Sequence, residues 1–368
     1  MPRLPHLGAL CLLLRLWQVL GLAPLKFSSG RGAHCSRLVT TSAALHWLGL
    51  LAMSPLLLRQ SVAIYETTNV QHSQLFRHIA LATMAGDVGI SLAILGAHIW
   101  QRRRLAKLLS GLERLHRRVQ LSWGATVLLW GKLLISLYEL LCNVPFLLQN
   151  AAKLPWLQLL AYSVQLYVQH VSSVFGNGVF GGLLLILASI QQLELQWEQL
   201  DSDKSQQERL LRRERRLLQV CLNFIGVFQL GIFLLVIGNF INILANMYAY
   251  MSYFVQQHGI PLTISNYCVI VAIQLYAIVL ATHLCQVRHT RLRRRCLQLC
   301  YVPPQMTNEQ AMLPTPLVLW PLDSLEFSVL GLFTLDNAFW LFLVSYAVNF
   351  IVIILQFTVT HMKHGKAF

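Results

Sequence analysis

Charge is scarce in this sequence. Only 12% of its 368 residues are charged, and just 14 are Asp or Glu. A soluble domain carries about 25% charged residues, so a water-solvated globule of this length is excluded. Catalytic signatures are missing too. There is no Gly-rich phosphate loop, no His-Glu-x-x-His pair and no Gly-x-Ser-x-Gly elbow, and no set of residues suggests a cofactor. The eight cysteines form no framework. Cys296-x-x-x-Cys300 has neither the C-x-x-C spacing nor the second ligand pair of a zinc site. No Asn-x-Ser/Thr sequon occurs, which fits short exterior loops and not a large ectodomain.

What is present is apolar. Hydrophobic residues make up 56% of the chain, the mean hydropathy is +0.56, and the apolar residues gather in runs of about 20. The expected fold is therefore an all-α membrane protein with seven transmembrane helices, near 38–58, 79–100, 122–147, 157–190, 219–246, 262–285 and 337–360. The fourth run is too long for a bilayer of about 30 Å and should project beyond it. Gly176, Gly178, Gly181 and Gly182 lie within it, which allows a kink or close helix contact.

Basic residues set the orientation. Of 29 Lys and Arg, Arg59, Arg77, Lys153, Lys363 and Lys366 fall on one side and Lys132 inside a span; all others fall on the N-terminal side. The positive-inside rule then gives a cytosolic N-terminus and an extracellular C-terminus. It also explains the net charge of +15 without nucleic acid. The chain divides into a cytosolic segment 1–37, a six-helix bundle 38–285, a cytosolic loop and anchor helix 286–336, a seventh span 337–360 and an extracellular tail 361–368. Residues 4–22 read as an amphipathic helix on the inner leaflet: Arg15 interrupts the apolar core a signal peptide would need. Segment 191–218 carries mixed charge at helical spacing, either as a solvated extension of its neighbouring spans or as an intracellular packing layer between subunits. Residues 302–322, broken by five prolines, read as a loop. Cys142 and Cys268 both fall near outer span ends, where a bridge is open to them.

Polar residues inside spans carry the functional signal. Asp87 sits mid-span in the second helix, and Lys132 and Glu139 share one face of the third. Tyr162, Gln165, Asn239, Asn242, Asn246, Tyr267 and Gln274 lie in the outer halves of other spans. Amides with aromatic rings around a cavity suit a small organic ligand, and equally suit hydrogen bonding between helices. In the last span, Asn349, Ile353, Gln356 and Thr360 recur at helical spacing on one stripe. A stripe flecked with amides inside an apolar helix points to a pore or a bundle interior.

Two motifs carry a family resemblance. Phe327-Ser328-x-x-Gly331-x-Phe333-x-Leu335-Asp336 is followed by Asn349-Phe350, five aliphatic residues and Gln356-Phe357. This resembles the C-terminal signature of insect gustatory receptors, usually written Thr-Tyr, five hydrophobics, Gln-Phe. Gly21-Leu22-Ala23-Pro24 is similar to the family's N-terminal Gly-Leu-x-Pro. Asn349 and Phe350 depart from the usual Thr and Tyr. The resemblance implies a ligand-gated, non-selective cation channel opened by small organic tastants, with bitter compounds weakly favoured by the chain's compactness. It implies a homo- or heterotetramer in the plasma membrane of a gustatory neuron, on dendrite, axon or cell body. Ile353 and Phe357 would form the constriction, with Gln356 beside it and Asn349 on the same stripe. The pocket of each subunit would draw on Asp87, Glu139, Tyr162, Gln165, Asn239, Asn246, Tyr267 and Gln274. Asp336 matches a recurrent acidic position before the last span, facing ions or capping the helix. An odorant-receptor subunit shares this plan. A G-protein-coupled receptor would reverse the orientation and place Asn-Pro-x-x-Tyr in the seventh span, where this chain has no proline. A transporter would show inverted repeats or paired broken helices.

Overall fold

The computed structural model describes residues 5–28, 32–68, 74–116, 119, 121–150, 155–199, 204–255, 262–300 and 325–363. Among the described residues, seven helices are long and apolar enough to cross a membrane. They are α2 (Arg37–Thr68), α3 (Gln74–Trp100), α5 (Trp123–Asn150), α6 (Trp156–Glu198), α7 (Lys204–Val255), α8 (Leu262–Cys300) and α9 (Asn337–Lys363). Two shorter helices, α1 (Pro5–Val19) and α4 (Arg102–His116), complete the helical set among the described residues. The predicted 302–322 loop lies outside the described residues.

Helix α6 is the axis of the bundle. It packs against α1, α2, α3, α4, α5, α7 and α8, and nearly all of its apolar window is buried. Its 43 residues span about 65 Å at 1.5 Å per residue, roughly twice the hydrocarbon thickness. The predicted projection is therefore real, and α7 and α8 project beside it. Segment 286–300, assigned from sequence to a loop and anchor helix, continues α8 without a break. Arginine and leucine are good helix formers, and cations near a helix C-terminus meet a favourable dipole. Segment 101–121 holds another unforeseen helix. Leu105, Leu108, Leu109 and Leu112 form one buried face of α4 while its basic residues stay outside.

The glycines of α6 serve contact and not bending, since the helix runs uninterrupted from Trp156 to Glu198. A Cβ at Gly178 would overlap the indole of Trp17. One at Gly182 would lie 2.5 Å from the Phe224 ring. Lipid is as apolar as leucine, so close packing and hydrogen bonds must hold membrane helices together. These two glycines open the space that α1 and α7 fill.

Helix α1 packs into the bundle, where its amphipathic pattern suggested a helix lying on the inner leaflet. Ala9, Leu10, Leu13 and Trp17 are buried, and Trp17 Nε1 donates to the Val174 carbonyl at 2.9 Å. The indole stacks on Phe175 and meets Phe228 edge-on. Leu12 and Val19 remain on the outer face. The Gly-Leu-x-Pro segment then turns through Gly21 at φ +75°. That turn lets the buried Leu22 present its carbonyl to His98 Nδ1 at 2.7 Å.

The Phe327–Asp336 motif folds as a hairpin. Its two strands, Ser328–Val329 and Phe333–Thr334, pair antiparallel through a turn in which Leu330 and Gly331 have φ of 53° and 71°. Positive φ at both central positions is the hairpin-favouring geometry that glycine permits. Phe333 stacks on Phe339, with centroids 4.2 Å apart. Thr282 Oγ1 donates to the Leu335 carbonyl at 2.8 Å, which ties the hairpin to α8. Asp336 resolves its two readings toward capping: its Oδ1 accepts from the Phe339 N–H at 2.9 Å. Such a cap contributes about 1 kcal/mol and fixes where α9 begins.

The projecting ends of α6, α7 and α8 form a layer within the chain. Glu194 is buried and held by Arg288 at 3.1 Å and Arg295 at 3.7 Å, and Arg295 also pairs with Glu198. Leu193, Trp197, Leu210 and Leu217 pack beneath them. The mixed charge of 191–218 thus covers a core of the chain's own. Cys268 is a free thiol, so the bridge left open to it is not made. The side chain of Cys142 is outside the described residues.

Candidate functional site

Five helices bring polar side chains to one point inside the bundle. Asp87 arrives on α3, Glu139 on α5, Gln169, Ser172 and Ser173 on α6, Asn239 on α7 and Gln274 on α8. Leu235 and Val271 close a cavity of about 30 Å³ between them. A water needs roughly 10–15 Å³, so the space suits one or two waters, far below the 300–1,000 Å³ of an organic-ligand pocket.

Hydrogen bonds explain why these groups tolerate burial. Glu139 Oε2 accepts from Ser173 Oγ at 3.1 Å and from Gln274 Nε2 at 3.2 Å. Lys132 Nζ donates to the Gln274 backbone carbonyl at 2.9 Å and lies over the Phe180 ring. Gln274 therefore joins the two ionisable residues of α5 through its side chain and its backbone. Ser136 and Ser173 share a 3.0 Å hydrogen bond, and Asn177 Nδ2 donates to Ser136 Oγ at 2.7 Å. On the far side, Asn242 Nδ2 donates to Asp87 Oδ1 at 3.0 Å. An unpaired amide in hydrocarbon costs several kcal/mol, so the network holds five helices in register. Asn177 Oδ1 is buried without a hydrogen-bond partner among the described residues, an acceptor open to a donor.

The sequence-predicted pocket residues separate into groups. Asp87, Glu139, Asn239 and Gln274 converge on the cavity. Asn246 sits one turn beyond Asn242 and donates to its carbonyl at 2.8 Å. Tyr162 and Gln165 are half-buried on α6, away from the lining. The Tyr267 side chain lies outside the described residues. Sequence reasoning missed Gln169, Ser172, Ser173, Ser136 and Asn177. The α6 members were findable, because Gln165, Gln169, Ser172 and Ser173 continue one helical stripe.

A second feature is the open face of α9. Leu343 and Ala347 are buried against the chain's own helices, and Trp340 and Tyr346 make ring contacts with Tyr276 and Phe240. Asn349, Ile353 and Gln356 are exposed. At 100° per residue Asn349 and Gln356 lie roughly opposite Leu343 and Ala347, with Ile353 at the flank of that side. The chain leaves bare the side of its last span that carries two amides. The Phe357 side chain lies outside the described residues.

Comparison with known proteins agrees with this architecture. The model for the 7tm chemosensory receptor family matches residues 10–361. A Drosophila melanogaster protein named "Putative gustatory receptor 89a" is 56% identical over 367 residues, covering 100% of both chains. The insect olfactory receptor OR5 of Machilis hrabei, solved in complex with eugenol, matches with a TM-score of 0.67 at 11% identity. The match covers 95% of this chain and 99% of the receptor. A second structure of that receptor gives a TM-score of 0.67 at 10% identity over 94% of this chain and 97% of its own.

Proposed function

We propose that this chain, which belongs to the 7tm chemosensory receptor family, is a gustatory receptor subunit that conducts cations when a small organic tastant binds. Four copies, of this chain alone or mixed with related subunits, surround a pore in the plasma membrane of a taste neuron. Their N-termini are cytosolic. Each copy contributes the Asn349–Ile353–Gln356 face of α9 to the pore and carries its own ligand site in the five-helix polar network. The observation that carries this reading is that face: exposed, and flecked with amides that lipid would not solvate. The gustatory relative favours tastants over odorants.

The closed cavity constrains the mechanism. A ligand cannot enter 30 Å³ without separating the helices that bear Leu235 and Val271. Binding energy is thereby coupled to helix movement, which is what a ligand must do to shift a gating equilibrium. Because α9 is docked on α7 and α8, movement of Gln274 on α8 has a direct mechanical route to the pore.

Whole-cell recording in cells without other chemosensory receptors, under a panel of small organic compounds, tests this. Inward cation current that persists without intracellular GTP is expected. Gln274→Leu should raise the half-activating concentration of any activator by about tenfold, the equivalent of ~1.4 kcal/mol. A GTP-dependent response, an extracellular N-terminal epitope, or silence from receptor confirmed at the surface would overturn the proposal.

A further inference from the structure

A cavity of about 850 Å³ opens between α4, α6 and α7 at the basic end of the bundle, well away from the polar network. Arg114 enters it from α4, and Arg213 and Arg216 from α7; its lining holds no acidic residue among the described residues. Leu115, Val119, Leu193, Leu217 and Val220 form its apolar wall. A smaller adjoining cavity extends the same groove past Arg209, Gln196, Gln199 and Gln206. Arg209, Arg213 and Arg216 recur at i, i+4 and i+7 on α7, opposite Gln192, Gln196 and Gln199 at the same spacing on α6. One wall therefore offers guanidinium groups and the other amides, above a hydrocarbon floor.

The described carboxylates nearby are engaged elsewhere. Glu194 and Glu198 hold Arg288 and Arg295, Glu208 pairs with Arg212, and Glu214 accepts from Cys296. Glu113 lines a separate cavity beneath α1. Arg114, Arg213 and Arg216 make no ion pair among the described residues. Arg114 Nε donates to the Ser110 carbonyl and Arg213 Nη1 to Gln196 Oε1 at 3.0 Å. Each thus uses one donor to fix its direction and keeps others for an anion.

We propose that this groove binds an anionic phospholipid of the adjacent leaflet, its phosphorylated headgroup held by Arg114, Arg213 and Arg216 and its apolar portion laid along Leu115, Leu193, Leu217 and Val220. Guanidinium forks recognise phosphate oxygens with two parallel hydrogen bonds. Basic pockets between spans at the cytosolic surface suit polyphosphorylated lipid headgroups. The hydrocarbon wall continuous with the arginines selects a lipid over a soluble phosphate, which would leave that wall wet. This site stands independently of the channel reading and of the tastant.

The test is native mass spectrometry of the full-length receptor, released from nanodiscs of phosphatidylcholine containing 5 mol% (~5%) phosphatidylinositol 4,5-bisphosphate. The bisphosphate lipid is expected to be retained at least about tenfold over its share of the bilayer. Arg213→Gln/Arg216→Gln should reduce that retention about tenfold, while Arg291→Gln/Arg294→Gln on α8, with the same charge loss, leaves it unchanged. Retention of phosphatidylcholine in proportion to its abundance would overturn the site, with no variant needed. So would equal loss in both variants, or displacement by inositol 1,4,5-trisphosphate at equimolar concentration.

Discussion

Replacing Ile353 with serine is expected to open the channel without ligand. Ile353 lies on the exposed side of α9, between the amides of Asn349 and Gln356. In the proposed tetramer one ring of four Ile353 side chains would keep a narrow passage dry, and a dry passage does not conduct. Four serines would wet it. The change acts four times over, so even ~0.35 kcal/mol per copy raises the resting open fraction about tenfold. The readout is ligand-free current per surface receptor, compared with Val348→Ser as a neighbour off the stripe. A larger resting current at position 353 alone is the expected outcome; equal resting currents in the two variants would remove Ile353 from the gate.

Gly178→Val is expected to abolish delivery of folded receptor to the surface. The new side chain would occupy the space of the Trp17 indole, whose hydrogen bond and ring stacking pin α1 into the bundle. Overpacking a tight contact costs typically 1–3 kcal/mol and sometimes more, against a whole-protein margin of roughly 5–15 kcal/mol. Here Phe175, Phe228 and His98 flank the indole, so relief is open to it only toward the cavity beneath α1, at the loss of these contacts. A coupling measurement separates this contact from a general intolerance of valine in α6. Trp17→Ala/Gly178→Val should yield as much monodisperse receptor as Trp17→Ala alone. If the double variant is as depleted as Gly178→Val, the clash is not the cause.

Much of this architecture was legible in the residues, for physical reasons. Hydrocarbon demands long apolar helices, so seven spans could be placed on the seven observed helices, although α7 starts and α8 ends 15 residues beyond the placed bounds. Asp87, Glu139, Asn239 and Gln274 were findable because a polar group inside a span must find a partner. Their convergence was not, since it depends on how five helices rotate about their axes. Helix α4 was hidden by its charge: its leucines recur at helical spacing, yet seven basic residues in 101–121 made the segment look like a loop. The docking of α1 was hidden because its partners, Val174 and Gly178, lie more than 150 residues away. The Asp336 cap was read as one of two options, and only the 2.9 Å bond to Phe339 decides it.

Cysteine accessibility along α9 tests the central proposal most directly. Single cysteines at Asn349, Ile353 and Gln356, and at Leu343 and Ala347 as docked controls, would be exposed to a charged, water-soluble thiol reagent during recording, with the unsubstituted chain as reference. The account predicts that reagent blocks current through the first three, faster once ligand is present, and spares the two controls. Unmodified cysteines at Asn349, Ile353 and Gln356 in a conducting receptor would show that ions take another path.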